Sequence, residues 1–348
     1  MTVLAEGDAA QKTSLFEGST HFRNWRYSPE QLAATRTSMN ASAVAAIRAT
    51  FEADEPGSSA NVQFLDATEE LLLVRFYLSK LVEICGAFRF PEEVEATAIT
   101  YLKRFYLKNT VMDWHPKNVM LTAIFLATKT TNNPVSLDAF TGRLKQNPSD
   151  VLDLEFLVAQ SLAFEFAIWH AHRALWGLWL DIQSLPNAPS EEAETQQCYD
   201  GAVANLRATR YTDAELIYTP SQIALACMSL SRPDLAQAWA RSKNAESILP
   251  ILDEIKDMIQ RDGHAPDKDV VTTIDRHLRL CKNPEKIVGT KAYNAKKQRE
   301  EEAAEAKRVK KAETIRKAMD ENDPFGDPFE GEQAAEVAAN LAQLDDDD

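Results

Sequence analysis

The sequence predicts an all-α chain: two tandem helical domains with accessory helices at both ends. Three observations predict it. Apolar residues recur at helical spacing in stretch after stretch, each opened by a capping residue or a proline. Few segments alternate with the period of two that a half-buried strand shows. One pattern also occurs twice, because Pro116, Val119, Leu121 and Ala123 reappear as Pro220, Ile223, Leu225 and Cys227, at the same offsets and 104 positions on. Each copy opens an apolar helix ahead of further helical segments, which is the mark of a duplicated unit.

In chain order, residues 1–19 are small, acidic and polar and are expected to be mobile. Ser28, Pro29 and Gln31 then make a helix start: Ser28 caps the N–H at Gln31, Gln31 reaches back, and Pro29 fits the first position. This N-terminal helix, within residues 20–60, is expected to run to about Phe51 and to end at the turn-rich segment 54–60.

The first domain, 61–168, has helix starts at Asp66 or Thr68, Pro91, Pro116 and Ser136, giving five helices between Thr68 and Phe166. Its centre is the stretch 95–129. Ala98, Leu102 and Phe105 share one face of its first helix, and Val119 to Ala127 is apolar almost all round, as in a helix covered on every side. The second domain, 169–285, repeats the plan, with Trp169, Trp176 and Trp179 expected to fill the junction. A charged helix follows in 286–319, then an acidic tail, 320–348, expected to be disordered.

Composition narrows the function. The chain has 348 residues, 45% hydrophobic, and 38 Lys and Arg against 53 Asp and Glu, a net charge of −15. Phosphate neutralisation drives nucleic-acid binding, so this balance disfavours a polyanion as main partner and favours another protein. Aromatics and bases do interleave at His21 to Tyr27, but in so acidic a chain packing and partner contact are the preferred reading. No run of 18 apolar residues and no greasy N-terminal stretch occurs, so no membrane partner or secretion signal is expected. Only 11 glycines are present and none forms a phosphate-cradling loop. Cys85, Cys198, Cys227 and Cys281 lie far apart, which suggests reduced, mostly buried thiols. His170 and His172, two apart, are expected to point to different helix faces. No catalytic, cofactor or metal site is expected.

These stretches carry a resemblance. Tyr101 to Lys129, YLKRFYLKNTVMDWHPKNVMLTAIFLATK, resembles the second and third helices of a cyclin box. Glu69 to Phe88 is similar to the first helix, Val151 to Phe166 to the fifth, and Ile217 to Ser229 to the third helix of a second box. Asn24 to Leu32 resembles the helix that leads in, and the similarity covers roughly residues 20 to 285. The resemblance implies two tandem five-helix cyclin boxes, an N-terminal helix across both, and a regulatory subunit without catalysis that binds and activates a cyclin-dependent kinase.

The wording, above all Tyr218 to Leu225, is similar to that of the cyclin in the CDK-activating kinase of TFIIH. That similarity implies three partners: a kinase of the CDK-activating type, a RING-finger assembly factor and the TFIIH core. It also implies a place in the nucleus, with the RNA polymerase II C-terminal domain and CDK activation loops as targets. Alternatives are a cyclin of another transcriptional kinase (C-, K- or T-like) and a TFIIB-like nucleic-acid binder on the same fold.

By the resemblance, Lys129 and Glu155 match the lysine and glutamate with which cyclins grip the kinase. Lysine donates to carbonyls and glutamate accepts from N–H groups, so one pair can hold a partner's main chain. Phe105 and Trp25 are further kinase-binding candidates, although an aromatic at the Phe105 spacing also reads as core. One departure is that Thr130, Thr131 and Asn132 follow the lysine, where cyclins usually carry acidic residues. In the charged helix Lys307, Arg308, Lys310 and Lys311 resemble a nuclear import signal, against the plainer reading of a solvated face. Asp323 to Phe325 and Asp327 to Phe329 form a tandem Asp-Pro-Phe that resembles adaptor-binding motifs; such triplets arise easily in an acidic tail.

Overall fold

The computed structural model describes residues 14–186 and 191–320, which fall into two units divided after Lys286. Among the described residues every regular element is helical. The expected caps form. Ser28 and Gln31 make a reciprocal capping box at α2 (Pro29–Asp54), Asp66 and Glu69 another at α3 (Ala67–Phe88), and Thr219 and Gln222 a third at α12 (Pro220–Ser231). Residues 14–19 form a turn ahead of α1 (Thr20–Asn24), held by the Phe16 ring, which stands edge-on to His21 and Trp169 at 5.5 and 5.9 Å. The acidic tail beyond 320, with its tandem motif, lies outside the described residues.

The first domain packs α3, α4 (Glu92–Phe105), α6 (Leu137–Leu144), α7 (Ser149–Leu152) and α8 (Glu155–Ser161) around α5 (Pro116–Thr130). All-round apolarity makes α5 the central helix, with every side chain from Val119 to Thr128 buried. Each of its large aliphatic or aromatic side chains contributes about 1.5–3 kcal/mol of burial.

The second domain repeats this with α12 at its centre, covered by α9 (Ala171–Ile182), α10 (Glu192–Thr209), α11 (Ala214–Ile217), α13 (Pro233–Ser242) and α14 (Leu249–Asp262). All four cysteines are buried and free.

Four expectations are corrected. The helix expected over Val151 to Phe166 is broken at Asp153–Leu154 into α7 and α8, and ends at Ser161, because Ala163 and Phe164 adopt left-handed φ of 54° and 57°. The boundary at 285 also moves. Val271, Ile274, Leu278 and Cys281, one stripe of α15 (Lys268–Cys281), join the core of the first domain, so the chain returns there after α14.

The tryptophans do not share the junction. Leu175, Leu178, Trp179 and Ile182 form the buried stripe of α9, which leaves Trp176 on the outside and puts Trp179 in the second core, while Trp169 is also exposed. His170 and His172, finally, do not diverge. His170 is the extended residue before α9, so the two rings stack at 5.0 Å. Among the described residues no group of three His, Cys, Asp or Glu is placed to hold a metal.

Charge joins the two domains where each core is apolar. Buried Arg210 pairs with Glu92 and Glu95 of α4, and buried Lys103 lies 2.7 Å from the Thr212 carbonyl and 2.9 Å from Glu215. The α2 helix lies across both domains: Leu32 enters the second core, Ala43 and Ile47 the first, and Arg36 makes two 2.7 Å bonds to Asp213.

The second unit carries α16 (Lys291–Asp320), which has no apolar stripe; Lys307, Arg308 and Lys310 are exposed on it and Lys311 is half-buried.

Candidate functional site

Where α5 runs out, α8 begins. Lys129 stands in the last turn of α5, where the helix dipole favours a cation, and Glu155 in the first turn of α8, where it favours an anion. The two helix ends lie against each other, and the Lys129 ammonium pairs with the Glu155 carboxylate, with 42% and 23% of the two side chains exposed. The ammonium also sits 4.8 Å from the centre of the Phe125 ring.

A half-exposed pair of this kind adds little to stability. Each member satisfies the other in the free chain, and each can exchange that bond for a carbonyl or an N–H on a partner.

Around the pair the surface turns apolar. Leu152, Phe156 and Phe164 are all exposed, Phe156 by 69%, and the two phenylalanine rings lie 6.1 Å apart. Large aromatics in water beside a charged pair make an anchor-and-clamp surface suited to a protein partner. Sequence reasoning missed these three residues. The available signal is their displacement from the buried positions Val158, Ala159 and Leu162.

The other candidates are placed differently. Phe105 has no exposed surface and belongs to the first core; Trp25 is 1% exposed, its Nε1 donating to Glu165 at 2.6 Å and its ring 4.6 Å from the Arg104 guanidinium. Both are corrected from contact to packing residues, since neither shows surface to a partner. Trp25 packs instead against the end of the first box, between Glu165, Arg104 and Lys108. Burial lowers the Arg104 pKa to about 10, still charged at neutral pH. The basic cluster Lys307 to Lys311 lies on α16, in the other unit.

Two family profiles match this arrangement of helices: the cyclin N-terminal domain over residues 51–167 and the cyclin C-terminal domain over 170–262. The chain belongs to the cyclin family. It is 31% identical over 319 residues to cyclin mcs2 of Schizosaccharomyces pombe, covering 89% of this chain and 98% of that one.

Among solved structures it is similar to a chain of the CAK complex from Chaetomium thermophilum bound to ATP-γ-S. The TM-score is 0.73 and the identity 30%, over 83% of this chain and 94% of that one. It is also similar to a chain of the yeast TFIIK (Kin28/Ccl1/Tfb3) complex, with TM-score 0.61 and 32% identity, over 70% of this chain and 99% of that one. The profile for the second cyclin box stops at α14, in agreement with the return of α15 to the first box. Lys129, Glu155 and the exposed phenylalanines all lie at one end of the first box.

Proposed function

We propose that this chain is the cyclin subunit of a CDK-activating kinase, the role of cyclin H, and that the α5–α8 end of its first box is the kinase-docking face. The observation that carries this is the half-exposed Lys129–Glu155 pair, flanked by Phe156 and Phe164, on a cyclin whose similar chains sit in CAK and TFIIK complexes.

Activation follows from elementary physics. A kinase whose C-helix is swung out cannot form the lysine–glutamate pair that positions the ATP phosphates. A rigid helical surface that binds only the inward state shifts the population toward it. The chemistry is the kinase's; this chain supplies the binding energy.

The same reading gives the complex a third subunit, a RING-finger assembly factor, and attachment to the TFIIH core. It places the complex in the nucleus, with Lys307 to Lys311 as the import signal. The support is the resemblance in the sequence and the three-subunit make-up, Kin28/Ccl1/Tfb3, of the yeast complex with a similar chain. Affinity capture from nuclear extract followed by identification of the kinase tests it. Recovery of a CDK-activating kinase with an assembly factor is expected; recovery of a different transcriptional CDK alone would overturn the assignment.

A further inference from the structure

The docking face has two edges on different elements: Lys129 at the end of α5, and Phe164 in the linker after α8. The Phe164 edge is strained. Ala163 and Phe164 are consecutive left-handed residues without glycine, a conformation in which the Cβ crowds the following carbonyl oxygen. Their amides bond back to Gln160 and Ala159 at 2.9 and 3.0 Å, and such a turn persists only if the chain leaving it is fixed.

It is fixed twice. The Glu165 carboxylate accepts from Asn24 at 2.5 Å and from Trp25 at 2.6 Å. The next residue, Phe166, is held by Tyr101 of α4, whose hydroxyl lies 2.9 Å from the Phe166 carbonyl and 3.0 Å from Thr130 Oγ1.

Tyr101 is fully buried, and Thr130 is the residue after Lys129. A carbonyl can only accept, so the single phenol proton goes to Phe166. Thr130 then makes the second contact, its hydroxyl turning between Tyr101 and the Leu126 carbonyl at 3.1 Å. One buried oxygen thereby touches both edges of the face. Burial raises the phenol pKa to about 12, which keeps the proton in place.

We propose that Tyr101 is a positioning residue for kinase binding: its hydroxyl ties the strained Ala163–Phe164 turn to the end of α5, so that Phe164 and Lys129 meet the partner as one surface. This rests on the docking-face reading above.

The test is a double-mutant cycle on kinase affinity with the full-length chain, measured well below the melting temperature of each variant. Tyr101→Phe keeps the ring and removes the hydroxyl. It should weaken binding about tenfold in the native background and no more than about twofold in a Phe164→Ala background, because the contact it positions is then absent. A general loss of stability would not produce that coupling. Wild-type affinity for Tyr101→Phe, or the same loss in both backgrounds, overturns the proposal. A Lys129→Ala/Glu155→Ala variant separates the two levels. If it binds fully while the Tyr101 coupling persists, Lys129 drops out of the docking face and Tyr101 stands as the positioning residue for Phe164 alone.

Discussion

In the first box the central helix α5 runs out at Thr130 beside the start of α8, whereas in the second box α12 runs straight into α13. Counting from the matching prolines, Pro233 holds the place of Lys129. It opens α13, whose Leu235 and Ala236 are buried over that end. The nearest cation, Arg232, is consumed locally. It makes two bonds to Asp234 at 2.9 and 2.8 Å and one to Glu194 at 2.8 Å, and its Nη1 lies 3.1 Å from the Cys198 Sγ.

One scaffold therefore ends its central helix twice, once open with exchangeable charges and exposed aromatics, and once closed. Duplication supplies the helix end. What lies beside it decides whether its charges and aromatics stay open.

Four changes break or sharpen that contrast. Replacing both Lys129 and Glu155 by Ala should cost about 2–5 kcal/mol of binding to the kinase, the usual range for truncating charged bonds at an interface centre, and should abolish activation at working concentrations. Its Tm should stay near wild type, since the pair is half-exposed; a kinase titration beside a melting curve checks both.

Phe156→Ala should weaken binding by about 1–3 kcal/mol with no loss of Tm, read by the same titration.

The covered regions respond to pH instead. Burial holds the His21 pKa down to about 4, with the Arg104 charge adding to it, so the folded chain keeps His21 neutral where the unfolded chain protonates it below about 6.5. Stability from this group is present above 6.5 and is lost as pH falls toward 4. Between pH 6.5 and 5 the loss is about 2 kcal/mol, and His21→Gln should remove that part of the slope in denaturant titrations while still accepting the Trp169 amide bond. Smallest of all, Arg232→Ala at the closed end should lower stability by only about 0.5–1 kcal/mol and leave kinase affinity within about twofold.

Much of this was legible in the sequence. Ser28 with Gln31, Pro116, Ser136 and Pro220 mark helix starts through local hydrogen bonding and φ, which depend little on the rest of the fold. All-round apolarity identified α5 as central for the same reason.

Tertiary choices were not legible. The stripe on α15 says that one face is buried but not against which core, and neither glycine nor proline announces the break at Asp153–Leu154. Lys129 and Glu155 were singled out by resemblance alone. Their exposed neighbours were not, since Phe156 and Phe164 look like core residues until two left-handed positions and a one-residue offset turn them outward. Trp25 and Phe105 failed the other way, with surface roles expected for side chains that packing encloses.

Hydrogen–deuterium exchange of the chain alone and bound to its kinase tests the contrast most directly. Amides over residues 126–131 and 152–166 should gain protection on binding while those over 228–236 stay unchanged. Protection at 228–236 with none at 126–131 would contradict the assignment of the open end as the docking face.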